Sequence, residues 1–157
     1  MNIEKIILPT DFSEHSKTAV PYAIDLARRY NAELHLIHVF DENALDPILV
    51  AYSNSVKEYL GKMRGGFDEA IEKLLSEWDI EGVNIVRAFL SGIPFLEIVR
   101  YAQKNCADII VMGSQGRTGL AHMFLGSTTE KVLRKAPCPV LAVRKPAPCD
   151  SPFPPGK

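Results

Sequence analysis

Cysteine is scarce in this chain. Its three residues, Cys106, Cys138 and Cys149, are odd in number, widely spaced and free of any CxxC pair, which excludes a disulfide framework and a cysteine-built zinc site. An excess of charge of one sign is missing too: the formal net charge is -1, with Lys, Arg, Asp and Glu mixed along the sequence. No basic stripe offers the phosphate-neutralising face that nucleic acid requires, so nucleic acid is not expected as a partner. Nor is there a long apolar run near the start. Ile6, Ile7 and Leu8 are followed at once by Pro9, far short of a signal-peptide core or a membrane span. The expected setting is a reducing cytoplasm, with no membrane partner.

What is present is 157 residues, 46% hydrophobic and 24% charged, the size and balance of one domain with its own core. Ile3 to Leu8 reads as a strand ended by Pro9, after which Asp11 and Ser13 offer oxygens to cap a helix from Glu14. Ala19, Val20, Ala23, Ile24, Leu26 and Ala27 continue the helical spacing through Arg29, and Asn31 closes it. Leu34 to Phe40 resumes strand character. Asp41 to Pro47 reads as a loop and Ile48 to Trp78 as mostly helical, weakened or kinked by Gly61, Gly65 and Gly66. Val83 to Leu90 is a third strand, with Pro94 opening a helix to Lys104. Ala107 to Met112 is a fourth strand, continuously apolar after Asp108, as a strand covered on both faces should be.

A glycine-bearing loop from Gly113 to Leu125 precedes a helix from Ser127 to Arg134, where Ser127 and Glu130 have capping-box spacing. Val140 to Val143 is a fifth strand, flanked by Pro137 and Pro139 and read as an edge. Alternation of this kind predicts an α/β fold: one doubly wound five-stranded parallel sheet, Rossmann-like, with helices on both faces. Ligands of such sheets bind beyond the carboxyl ends of the strands, where Asp11, Val39 and Gly113 fall. The domain is expected over 1–145, and the proline-rich segment 146–157 reads as a disordered tail.

Gly113, Gly116, Gly126 and Ser127 form the pattern GxxGx(9)G followed by Ser, directly after an apolar strand and leading into a helix. Gly113 and Gly116 lack a β-carbon and can adopt positive φ, letting backbone amides approach a phosphate chain. Gly126 and Ser127 stand at a helix start whose amides point outward. The helix end supplies about 0.3–1 kcal/mol per charge, up to ~2 when partly buried, whereas micromolar affinity needs about −8 kcal/mol. Loop amides, Arg117 and burial of a base must supply the rest. Arg117 is equally readable as a solvated loop charge; Asp11 could merely satisfy helix-end amides, but its position at the end of the first strand favours a binding role. His35 and His38 lie at an odd offset on a strand, on opposite faces, and cannot chelate one ion. Cys106 and Cys138 read as small packed hydrophobes beside buried strands.

The opening IEKIILPTDFSEHSKTAVPYAIDLA and the run GIPFLEIVRYA, ADIIVMGSQGRTGLAHMFLGSTTEKVLRKAPCPVLAVR closely resemble the two halves of universal stress proteins. The match spans nearly the whole chain to Lys145, leaving the middle helical region as the variable part. The resemblance places the chain with those family members that retain the glycine signature and bind ATP. It implies that Pro9, Thr10 and Asp11 lie against the adenosine, that the backbone of Val39 meets the adenine, and that Gly113 lies near the ribose, with Met112 also among the nucleotide-binding residues. It further implies that Gly116, Gly126, Ser127 and Thr128 hold the phosphates, with Arg117 as an addition and Mg2+ bridging phosphate oxygens. The last strand, Val140 to Val143, would pair across a two-fold axis to make a homodimer.

Three functions are compatible with this reading. The first is a nucleotide-regulated dimer acting on an unknown protein partner. The second is a slow ATP hydrolase or autophosphorylating protein, against which stand the missing Walker motif GxxxxGK[ST] and the lack of an obvious second acidic residue near the phosphates. The third is an interaction module with a vestigial site, docking through Gly61 to Gly66 or the tail.

Overall fold

The computed structural model describes residues 2–41, 56–115 and 125–145. The tail 146–157, Cys149, residues 42–47 of the expected loop, residues 48–55 of the expected middle helix, and Gly116 and Arg117 lie outside the described residues. The elements run β1 (Lys5–Pro9), α1 (Glu14–Lys17), α2 (Val20–Tyr30), β2 (Glu33–Asp41), α3 (Val56–Ser76), β3 (Asn84–Gly92), α4 (Pro94–Lys104), β4 (Ile109–Gly113), α5 (Ser127–Lys135) and β5 (Val140–Val143). The strands form one parallel five-stranded sheet in the order β3-β2-β1-β4-β5. The expected architecture is therefore the observed one, and β5 is an edge strand.

The central strands are apolar on both faces because both faces are covered. On one face Ile6, Leu8, Leu34, Leu36 and Val111 pack with Ala23 and Ile24 of α2 and with Phe67, Ile71 and Leu74 of α3. On the other, Ile7, Ile37, Ile110 and Met112 pack with Ile98 and Ala102 of α4 and Val132 of α5. His35 and His38 do point to opposite faces. His35 is a satisfied core histidine, 2.9 Å from the Tyr101 hydroxyl and 2.8 Å from Glu33. His38 lies among the rings of Phe12, Phe67 and Phe89 on the other side.

Several expectations are corrected. The single first helix is two, α1 and α2: Pro21, in the first turn of α2, has no N–H to donate back to Lys17, so the hydrogen-bond ladder cannot run through. Strands β2 and β3 extend to Asp41 and Gly92, whose Cα atoms pair. Helix α3 is continuous through Gly61, Gly65 and Gly66, because the buried row Phe67, Ile71, Leu74 and Leu75 fixes it to the sheet. Cys106 is exposed, in a left-handed turn at φ 51° after α4, and is not a packed hydrophobe. Cys138 does pack against the second core, and burial followed by the nearby Asp108 charge pushes its thiol pKa up.

Among the described residues the α3 glycines meet no steric demand, since a Cβ added at Gly61, Gly65 or Gly66 has nothing within 4 Å. Gly65→Ala and Gly66→Ala are each expected to raise the unfolding free energy by about 0.5–1 kcal/mol through restored helix propensity. Urea titration checks this, and unchanged or lowered midpoints would show that propensity is not what these positions control.

Candidate functional site

Strands β1 and β4 are neighbours at the sheet centre, yet the helices that follow them cover opposite faces, α2 with the first core and α5 with the second. A crevice must open between their carboxyl ends. It does so as a cavity of about 480 Å3, lined by Pro9, Thr10, Asp11, Val39, Met112 and Gly113 and, from the start of α5, Gly126, Ser127 and Thr128. All the expected ligand residues that are described thus meet in one place. The volume lies within the range of small-molecule sites, roughly 300–1,000 Å3.

The β1 side is a tightly bonded turn. The Thr10 hydroxyl accepts from the Phe12 amide at 3.0 Å and shares a 3.1 Å hydrogen bond with Ser16. Asp11 Oδ1 accepts from the amide and hydroxyl of Ser13 at 3.0 and 2.6 Å. Ser13 in turn caps α1, accepting from the Ser16 amide at 3.2 Å. Asp11 therefore does organise the helix entrance, while also lining the cavity. The turn forces Phe12, a non-glycine residue, to φ 62°, a conformation that persists only where the surroundings hold it.

β2 outruns β1. The pairing ends at Pro9 and Ile37, whereas β2 continues to Asp41, so His38, Phe40 and Asp41 join Val39 in the cavity wall. Sequence reasoning missed these three, and with them Ser16, Pro94, Ile98, Gln115 and Thr129. The available signal was Pro9, which ends β1 early while the β-rich run of β2 goes on. Asp41 adds a second carboxylate to the cavity wall, at the end of β2.

On the β4 side two expectations are corrected. Gly113 keeps ordinary strand geometry, not a positive φ. Its missing β-carbon makes room for the chain itself: an added Cβ would lie 2.5 Å from the His15 carbonyl oxygen. Ser127 is not the helix cap. Gly126 is, with extended φ −69° and ψ 150° and no side-chain cap bond, so Ser127 is the first helical residue and its exposed hydroxyl is not used to cap α5. Instead the buried Thr129 hydroxyl donates to the Gly113 carbonyl at 2.9 Å, fixing α5 on β4. Backbone bonds from Gly126 N to Ser114 O (2.8 Å) and from Ser114 N to Val143 O (2.7 Å) tie both ends of the glycine loop to the sheet. The cavity is thus polarised by the fold, with carboxylates at the ends of β1 and β2 and helix-start amides beyond β4.

The universal stress protein family model matches residues 2–144, almost the whole chain. This chain belongs to the universal stress protein family. Universal stress protein MJ0531 of Methanocaldococcus jannaschii is 40% identical over 146 residues, covering 91% of this chain and 83% of that protein. Among solved structures, universal stress protein UspA from Lactobacillus plantarum superposes with TM-score 0.78 at 27% identity, covering 92% of this chain and 99% of its own. A universal stress protein crystallised in complex with cAMP shares the fold at TM-score 0.63 and 24% identity, covering 92% of this chain and 98% of its own.

Because the Gly113 contact is between backbone segments of the protein, Gly113→Ala is expected to lower stability by about 1–3 kcal/mol without any ligand present. Chemical unfolding of the ligand-free protein tests it. Unaltered stability would return Gly113 to the role of a ligand-clearance glycine.

Proposed function

We propose that this universal stress protein binds ATP in the cavity at the β1–β4 crevice and uses occupancy to bias the conformation or partner choice of a cytoplasmic homodimer. The observation that carries the reading is the polarity of that cavity. Anionic phosphates suit the helix-start amides and the hydroxyls of Ser127 and Thr128, which follow Gly126 at the head of α5. Adenosine suits the other side, where Pro9 and Val39 offer apolar surface beside the polar groups of Thr10 and Asp11 and the Val39 backbone, and Met112 and Gly113 lie between the two. Gly116 and Arg117 complete the phosphate end in this reading. The cAMP complex of a relative that shares this fold supports an adenine nucleotide as the ligand class.

No three His, Cys, Asp or Glu side chains gather to hold a metal among the described residues. Mg2+ would therefore arrive with the phosphates, which supply much of its oxygen shell, with one or two carboxylates or waters completing it. Asp41 in the cavity wall favours a second reading, slow hydrolysis, by placing another carboxylate beside the site. Dimerisation is proposed through β5, the short edge strand on which Leu141 is exposed, because an open edge pairs readily with its own copy. The domain is taken as 1–145, with 146–157 as an appended tail available to a regulatory protein.

The test is to denature freshly purified protein and identify released nucleotide by chromatography and mass, alongside calorimetric titration with Mg-ATP. Wild type is expected to release or bind ATP. Gly116→Val is expected to abolish binding by filling the phosphate space, with dimer and fold intact. Thr128→Ala is expected to weaken Mg-ATP by about tenfold, the worth of one hydrogen bond to a charged group. ADP accumulating with wild type and not with Gly116→Val would turn the assignment to hydrolysis. An empty wild type that also refuses Mg-ATP would overturn the binding reading.

A further inference from the structure

In a parallel ladder a residue whose amide donates to a carbonyl on the neighbouring strand has its own carbonyl bonded by the amide two residues further along that strand. Here Thr10 N donates to Ile37 O at 2.9 Å, so the next rung should be Val39 N–H to Thr10 C=O. The β1–β2 pairing stops before that rung, at Pro9 and Ile37. The Thr10 carbonyl is taken instead by the side chain of the following β2 residue, with His38 Nδ1 2.8 Å away. A carbonyl can only accept, so Nδ1 carries the proton. Because backbone polar groups alternate sides along a strand, the Val39 amide points the same way as that of Ile37, toward β1, at a level where β1 has already turned away. Val39 and His38 both line the cavity there.

We propose that His38 is a positioning residue: by occupying the Thr10 carbonyl it holds the ladder one rung short and keeps the Val39 amide turned to the cavity as a donor for a ligand acceptor atom. The inference deepens the ATP reading and rests on it for the identity of that acceptor, a ring nitrogen of the base. The packing around the imidazole explains why it stays in place. Phe67 of α3 stacks on it at 6.2 Å and 23°, Phe89 of β3 lies at 6.0 Å, and Phe12 lies at 4.9 Å. Phe12 belongs to the same turn whose Thr10 carbonyl His38 binds, and its φ of 62° brings its ring to the imidazole. The ring thus joins α3 and β3 to the end of β1, and its Nδ1 sets which backbone donor is left over.

Two variants separate the donor from the ring. His38→Phe keeps an aromatic ring and removes Nδ1–H; His38→Asn places an amide N–H where Nδ1 stood and removes the ring. Amide hydrogen exchange by NMR on the ligand-free protein reads the rung directly, and calorimetry reads Mg-ATP affinity. In wild type the Val39 amide is expected to exchange rapidly, unlike its strand neighbours. In His38→Phe its exchange is expected to slow by about tenfold as the rung closes onto Thr10, with Mg-ATP weakened by about tenfold. His38→Asn is expected to retain fast exchange and near wild-type affinity. A protected Val39 amide in wild type overturns the proposal without any variant, and so does equal loss of affinity in both variants with Val39 still exchanging fast. If wild type shows the exposed amide but binds no ATP, the positioning role stands and the ATP reading fails.

Discussion

The helices after β1 and β4 leave the sheet on opposite faces, and the rest of the architecture is arranged around that divergence. Two adjacent parallel strands cannot both be continued along the same surface without leaving a gap between their exits. The gap exposes the end of β1, the overhanging end of β2 and the start of α5 to one another. It also imposes a packing problem, because α1 must cross close to the end of β4. Gly113 resolves it, with the His15 carbonyl occupying the space any side chain would need. A residue that reads from the sequence as part of a ligand signature therefore has a structural obligation first.

Sequence periodicity was sufficient for the elements whose cause is local. Alternating strands and helices, the apolar run of β4 and the proline-flanked β5 all translate directly into the observed sheet. What escaped was set by relations between elements. Nothing in the spacing around Gly61 to Gly66 shows that the buried row from Phe67 to Leu75 would carry the helix through three glycines. The pair Ser127 and Glu130 has capping-box spacing, but Gly126 takes the cap because Thr129 is drawn to the Gly113 carbonyl, which sets where α5 begins.

The site shows the same division. Residues flanking the glycine pattern and the end of β1 were legible, since Pro9 and the glycines punctuate the chain where strands must end. His38, Phe40 and Asp41 were not, because their place in the wall depends on how far β2 outruns its neighbour. His38 was dismissed as a metal ligand on sound grounds of strand parity. That same parity turns its ring toward Phe67 and leaves its Nδ1 beside the Thr10 carbonyl.

The three glycines of α3 have a consequence for how the family member can change. Each occupies a helical position where a methyl group would meet open space, so this sequence sits below the stability its own backbone permits. Most substitutions that reshape a cavity are destabilising, and a protein tolerates them only while it stays above the threshold for folding. A few methyl groups on α3 could offset that loss. Among the described residues no contact requires those glycines, so α3 can absorb the cost of substitutions that reshape the cavity.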